Sequence, residues 1–290
     1  LVNNRCVIHP NQDIEFIEEE NYFFRFSKYQ NQLLKLYEGN SDQLDFVVPK
    51  TRLNEIRAFV ERGLQDFSIS RLASKMPWGI PVPGDGSQII YVWFDALVNY
   101  ISALGWPAFA EATAGQSTKF AEYWPATQFA GKDNLRQQAA MWQAMLMSAG
   151  LPPSRQIIIH GFITSGGQKM SKSLGNVIDP FDLVAEYGTD ALRYFLARHV
   201  QPFEDTDVTP DKFKETYNAN LANGLGNLVS RVMKMASAQP MSRRRLDITN
   251  NVKGYPSDSI EKFEINQAID LIWQKIGEAD LLIQKSEPFK

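Results

Sequence analysis

Gln156-Ile157-Ile158-Ile159-His160-Gly161-Phe162-Ile163-Thr164-Ser165-Gly166-Gly167-Gln168-Lys169-Met170-Ser171-Lys172-Ser173-Leu174-Gly175-Asn176 is the stretch from which this chain is read. Residues 156–159 form a short apolar run of the kind that makes a buried strand. Residues 164–167 end in two glycines and read as a flexible turn, so 168–176 is expected on a mobile segment beyond a strand end. Open α/β sheets bind ligands at that position. The loop joins two ammonium groups, Lys169 and Lys172, to two hydroxyls, Ser171 and Ser173. Lysine is a compact positive charge suited to phosphate, and glycine lets backbone N–H groups approach an anion closely. A solvated basic loop has the same composition, so composition alone does not assign phosphate binding.

Working outward, 88–92 and 127–130 read as two further strands, with helical patterns at 93–104 and 133–149 between the three. Alternating strand and helix implies an α/β fold with a parallel sheet. Trp78-Gly79-Ile80-Pro81-Val82-Pro83-Gly84-Asp85, just before the first of these strands, reads as irregular. The N-terminal preface is helical and turn-rich. Ser27 is expected to cap a helix carrying Leu33, Leu34 and Leu36, and Leu53, Ile56, Phe59 and Val60 mark a second helix that follows Pro49 and ends at Gly63. After the lysine loop the chain turns helical. Asp179-Pro180 and Thr209-Pro210 are helix starts with proline in the first turn. A long helix is expected from 209 to about 238 and another over 259–284, together a bundle.

Of 290 residues, 44% are hydrophobic and 22% charged, as in ordinary globular protein of about two domains. The formal net charge of −3 leaves no bulk basic field for a polyanion, so nucleic acid would need local patches such as Arg243-Arg244-Arg245. No apolar run has the length of a membrane span and 1–5 lacks the apolar core of a signal peptide, so a cytoplasmic protein with no membrane partner is expected. The single cysteine, Cys6, excludes an internal disulfide. Cys6 and His9 have half of a zinc-site spacing, and a structural zinc takes four ligands, so the metal site is incomplete.

Lys169-Met170-Ser171-Lys172-Ser173 resembles the second signature of class I aminoacyl-tRNA synthetases. Trp78 to Asp85, the run Tyr91-Val92-Trp93-Phe94-Asp95-Ala96-Leu97 and Gly131-Lys132-Asp133 are similar to methionyl-tRNA synthetases in order and spacing. The resemblance implies the C-terminal half of a Rossmann-like class I synthetase nucleotide-binding core, followed by an all-α anticodon-binding helical bundle. It divides the chain into the end of a zinc-knuckle or connective insertion (1–75), the second half of the core with the lysine loop (76–178), a stem-contact linker (179–212) and the anticodon-binding domain (213–290). The implied activity is methionine–tRNA ligase, with ATP and Mg2+, and with Zn2+ only in a longer protein. The implied partners are methionine and the initiator and elongator methionine tRNAs. A class I synthetase for another amino acid and a non-catalytic tRNA-binding protein are the alternatives.

Residue by residue, the resemblance makes Lys169 and Lys172 catalytic, with Lys172 stabilising the departing pyrophosphate. Gly131 and Asp133 are assigned to the ribose of ATP, although Asp133 is equally placed to be a plain helix cap. His160 is assigned to the neighbourhood of ATP, while a strand-end histidine is an equal reading of the residue alone. Trp93, Ala96, Leu97 and Tyr100 share one helical face suited to a linear thioether, and sulfur–aromatic contact gives the physical reason. Asn134 and Gln138, four apart and expected on one face, depart from the family, which has an apolar residue and a histidine there. Gln137 and the pair Trp142-Gln143 also depart from it. They predict a more polar methionine pocket. Asn227 and Arg231 on the long helix, and Phe289 near the end, are the anticodon-binding candidates. The family's His-Ile-Gly-His signature does not occur, so the chain is expected to be a fragment with an incomplete sheet and half an active site, inactive alone.

Overall fold

A computed structural model describes residues 18–39, 45–106, 119–171, 174–237 and 256–286. The chain divides into two compact units, Leu1–Ile158 and Ile159–Lys290. In the first, β1 (Phe23–Phe24), a 3-10 turn (Phe26–Tyr29), α1 (Gln30–Glu38), β2 (Val47–Val48), α2 (Lys50–Glu61), β3 (Phe67–Ser68) and β4 (Ser70–Leu72) come first. They are followed by β5 (Pro81–Val82), β6 (Asp85–Ile90), α3 (Val92–Ser102), α4 (Lys119–Tyr123) and β7 (Thr127–Gly131). A 3-10 turn (Lys132–Asn134), a π-helical stretch (Gln137–Met141), α5 (Trp142–Ser148) and β8 (Gln156–His160), whose last two residues fall in the second unit, complete the series.

The apolar run 156–159 is the central strand of a sheet ordered β2-β8-β7. It runs parallel to β2, with Val47 opposite Ile157 and Val48 opposite Ile158. Val47, Ile157 and Ile159 are fully buried, as a strand covered on both faces requires. The expected third strand, 88–92, is not in this sheet. Its first three residues form the second half of β6, which pairs antiparallel with β4 and β5, while Val92 already begins α3. The reason is legible in Asp85-Gly86-Ser87-Gln88, too polar for a strand buried on both faces. Gln88 itself is buried only because Ser70 Oγ donates to its Oε1 at 2.8 Å and its Nε2 donates to the Glu20 carbonyl at 2.6 Å.

Two other local expectations also change. The proline-rich 78–85 is not wholly irregular, because Pro81 and Val82 form an edge strand against β6, where the missing N–H of proline costs nothing. Ser27 does not cap α1. It lies in the 3-10 turn, where its N–H and hydroxyl both donate to Asp66 Oδ1, at 3.0 and 2.7 Å, and hold that carboxyl below the usual carboxylate range. The helix α2, by contrast, begins after Pro49 and is closed by Gly63 at φ +99°, as read. Tyr37 on α1 donates its hydroxyl to the Ala139 carbonyl at 2.7 Å, which ties the first helical pair to the π-helical stretch.

The second unit contains β9 (Ile163–Ser165), β10 (Gln168–Lys169), α6 (Pro180–Tyr187), α7 (Thr189–His199), β11 (Thr206–Asp207) and α8 (Pro210–Thr216). A second π-helical stretch (Tyr217–Leu225), α9 (Gly226–Ser237), α10 (Ser257–Glu261) and α11 (Ile265–Ser286) follow. Both expected proline starts hold: Asp179 accepts from the Phe181 N–H and Thr209 from the Lys212 N–H. Leu183, Ala191, Phe195, Val208 and Phe213 form the core between α6, α7 and α8. The helix expected over 259–284 is broken, because Phe263 adopts φ +60° between α10 and α11. Arg198 fastens α7 to α11, with Nε 2.9 Å from Asp270 Oδ1 and the guanidinium 4.7 Å from the Trp273 ring centroid.

Candidate active site

In the first unit the candidates gather on α3 and on the irregular helix after β7. Trp93 is 39% exposed, Ala96 and Tyr100 are half-buried, and Leu97 is 2% exposed. The structure brings Tyr100 and Gln138 together, with Gln138 Nε2 donating to the Tyr100 hydroxyl at 2.8 Å. The Tyr100 ring also lies 6.0 Å from that of Trp142. Gln138 is buried and its Oε1 has no partner, an arrangement that costs about 1–3 kcal/mol unless a ligand supplies a donor. Asn134 does not join Gln138 on a regular helical face. A 3-10 turn and a π-helical stretch occupy the positions between and around them, so the four-residue rule for α-helices fails here. The Asn134 amide lies instead 3.5 Å from Asp133 Oδ1, next to Gly131 at the end of β7. Asp133 is exposed in the middle of the 3-10 turn and is not its N-cap, a position that belongs to Gly131.

The departure at Gln143 has a structural cause. Its side chain is fully buried, donates to the Gln138 carbonyl at 2.8 Å and accepts from the Ser154 N–H at 2.9 Å. It is therefore an internal strap and adds nothing polar to a ligand pocket. A cavity of about 270 Å³ lies along Phe94, Val98 and Ile101 of α3 and reaches Trp142. This is the helical stripe one residue over from Trp93, Leu97 and Tyr100. The same four-then-three spacing, at Phe94, Val98 and Ile101, marks it in the sequence.

In the second unit the lysine segment is more ordered than expected. Residues 164–167 are not a loose turn: β9 and β10 pair antiparallel, Gln168 opposite Ser165 and Lys169 opposite Thr164. Gly166 and Gly167, at φ +63° and +73°, supply the two left-handed positions of a two-residue hairpin turn. Asp207 on β11 accepts from the Gly167 N–H at 2.7 Å and from the Thr164 hydroxyl at 3.0 Å. Asp205 accepts from the Phe162 N–H at 2.9 Å. Beyond β10, Asn176 Oδ1 accepts from the Ser171 N–H at 2.8 Å. None of these three anchoring residues was singled out from the sequence, and Asn176 had only its place at the end of the motif to mark it.

Lys169 carries its ammonium 4.3 Å from the centroid of the Phe162 ring. His160 is exposed at the end of β8. Lys172 lies outside the described residues, as do Phe289, Cys6, His9 and the arginine run at 243–245. On α9, Asn227 and Arg231 are exposed, and Arg231 Nη1 is 3.2 Å from Asp280 Oδ1 of α11. Among the described residues no cluster of three His, Cys, Asp or Glu side chains is placed to hold a metal. None of the helices described is long and apolar enough to cross a membrane.

In chain order, then, a buried parallel strand is followed by a two-stranded hairpin bearing lysine and by helices. Residues 1–233 match the family model described as tRNA synthetases class I (M), and the chain belongs to that family. It is 51% identical over 237 residues to the methionine–tRNA ligase of Thermosynechococcus vestitus, covering 81% of this chain and 43% of that relative. To the methionine–tRNA ligase of Nostoc sp. it is 40% identical over 303 residues, covering all of this chain and 56% of the relative. The crystal structure of Mycobacterium tuberculosis methionyl-tRNA synthetase bound by methionyl-adenylate matches with a TM-score of 0.83 at 35% identity, over 100% of this chain and 57% of that one. The chain thus spans about half the length of the curated relatives it matches.

Proposed function

We propose that the whole protein is a methionine–tRNA ligase, in which the carboxylate of methionine attacks the α-phosphate of ATP, pyrophosphate leaves, and the aminoacyl group passes to the terminal ribose hydroxyl of tRNA. The observation that carries the reading is the anchored β9–β10 hairpin with Lys169 at its end, joined to the likeness to a synthetase solved with methionyl-adenylate. Charge builds on the phosphates as the adenylate forms, and lysines held in place stabilise that charge more in the transition state than in the ground state. Lys169 and Lys172 take this role. Gly131 and Asp133 hold the ribose and His160 lies towards ATP. Magnesium arrives on the triphosphate as part of the substrate and neutralises it.

Trp93, Ala96, Leu97 and Tyr100 hold the methionine side chain, with Gln138, while Asn134 stands nearer the ribose group of residues. Because Gln138 donates to the Tyr100 oxygen, the phenolic proton remains available for the weak acceptor of a thioether sulfur. Asn227, Arg231 and Phe289 read the anticodon of methionine tRNAs. On this reading 76–178 belongs to the Rossmann-like core, 179–212 to a stem-contact linker and 213–290 to the anticodon-binding bundle, in a cytoplasmic protein. Methionine-dependent exchange of pyrophosphate into ATP tests it. Exchange with methionine, absent with leucine, isoleucine or valine and abolished by Lys172→Ala, is expected. Exchange driven equally by another amino acid, or unchanged in Lys172→Ala, refutes it.

A further inference from the structure

We propose that Asn176 is a positioning residue for Lys169, holding the backbone of the hairpin from which that phosphate-stabilising lysine projects; this rests on the function proposed above. One side-chain amide there reaches three backbone groups. Its Oδ1 accepts from the Ser171 N–H at 2.8 Å, and its Nδ2 lies 3.3 Å from the Lys169 carbonyl and 3.4 Å from the Ser165 carbonyl. These are the last residue of β9, the last residue of β10, and a residue just past it. Gly175, at φ +64°, turns the chain so that position 176 faces back onto the hairpin. Asparagine fits because the bridge needs one acceptor and two donors in one short planar group. An aspartate keeps the acceptor, loses both donors and sets a carboxylate against two carbonyl oxygens.

The opposite side of the hairpin is already held, by Asp207 at its tip and Asp205 at its base. Asn176 closes the remaining side, where Lys169 leaves β10. With its main chain fixed, Lys169 swings only its side chain between the Phe162 ring and a phosphate, so the ammonium returns to one place. Misplacing a group that acts on a transition state by about 1 Å costs about a hundredfold in rate.

The test uses the whole protein that carries this chain, in methionine-dependent ATP–pyrophosphate exchange, with hydrogen exchange of the Ser171 amide alongside. For Asn176→Ala we expect kcat to fall about tenfold to a hundredfold, KM for methionine to stay within about twofold, and the Ser171 amide to exchange at least about tenfold faster. Asn176→Asp, which keeps the Ser171 acceptor, is expected to lose rate while Ser171 stays protected, and it stands in if the alanine variant does not fold. Unchanged kcat in either variant overturns the proposal, as does a loss of rate in Asn176→Ala with Ser171 protection intact. If the unaltered protein shows no methionine-dependent exchange, the functional reading has failed by itself. The Ser171 amide then decides whether the clamp exists, and unchanged protection in Asn176→Ala overturns it.

Discussion

Gly161→Ala tests the mounting of the hairpin most directly. A Cβ at Gly161 would sit 2.3 Å from the carbonyl carbon and oxygen of Glu204 and 2.7 Å from the Asp205 nitrogen, all backbone atoms. Normal carbon contacts begin at about 3.5 Å, so the two segments must part by roughly 1 Å. The contacts beside that point are the Phe162 N–H to Asp205 carboxylate bond at 2.9 Å and the Thr206 N–H to Phe162 carbonyl bond at 2.9 Å. Parting by that much breaks both. A charged hydrogen bond is worth about 1.5–3 kcal/mol and a neutral one about 1, so the second unit should lose about 3 kcal/mol. Gly166→Ala makes the comparison. Gly166 has φ +63° with open space around it, and the left-handed penalty is about 1–2 kcal/mol. The collision therefore outweighs the dihedral strain. Denaturant unfolding, with hydrogen exchange of the Thr206 amide, measures both. If Gly161→Ala costs under about 0.5 kcal/mol with Thr206 still protected, the reasoning is wrong.

Tyr37→Phe should destabilise the first unit by about 1–2 kcal/mol in denaturant unfolding, since it leaves the buried Ala139 carbonyl without its partner. Burial, followed by the Arg198 charge, lowers the pKa of His199 from its ordinary value of 6.5, with Lys212 acting the same way and Asp270 opposing. The folded state therefore resists a proton that the unfolded chain accepts. Stability is full above about pH 6.5 and declines as pH falls through that value towards the lowered folded one. Melting the protein and His199→Gln at pH 7.5 and 5.5 should show a smaller acid loss in the variant, and equal losses would count against it.

What the sequence reveals follows from which interactions are local. The run Ile157-Ile158-Ile159 and the proline starts at Asp179 and Thr209 are readable because burial and capping act within a few residues. Strand β2 was invisible, being two valines before Pro49 whose identity as a strand depends on β8, more than a hundred positions on. The assignment of 88–92 to the parallel sheet weighed its apolar end and discounted its polar beginning. The lysines were singled out by chemistry and by resemblance. The groups that hold the hairpin of Lys169, namely Asp205, Asp207 and Asn176, were not, because a carboxylate or amide binding distant backbone leaves no periodic trace. Similarly, Gln143 reads as a departure from the family pattern, and its role as an internal strap between α5 and Ser154 leaves no mark in the sequence.

The wide winding of Tyr217–Leu225 makes the aim of Asn227 and Arg231 depend on how tightly the helix before them is coiled. An α-helix advances about 100° per residue, so letting that stretch rewind normally with its length unchanged would swing the outward face of α9 by about 100° for each residue the wider coil now takes up. Gly224 and Gly226, whose added Cβ atoms would each come 3.0 Å from a carbonyl oxygen in the preceding turn, suit the backbone to the wider coil. Whatever lets that coil tighten, leaving every side chain on α9 untouched, would thus re-aim that surface.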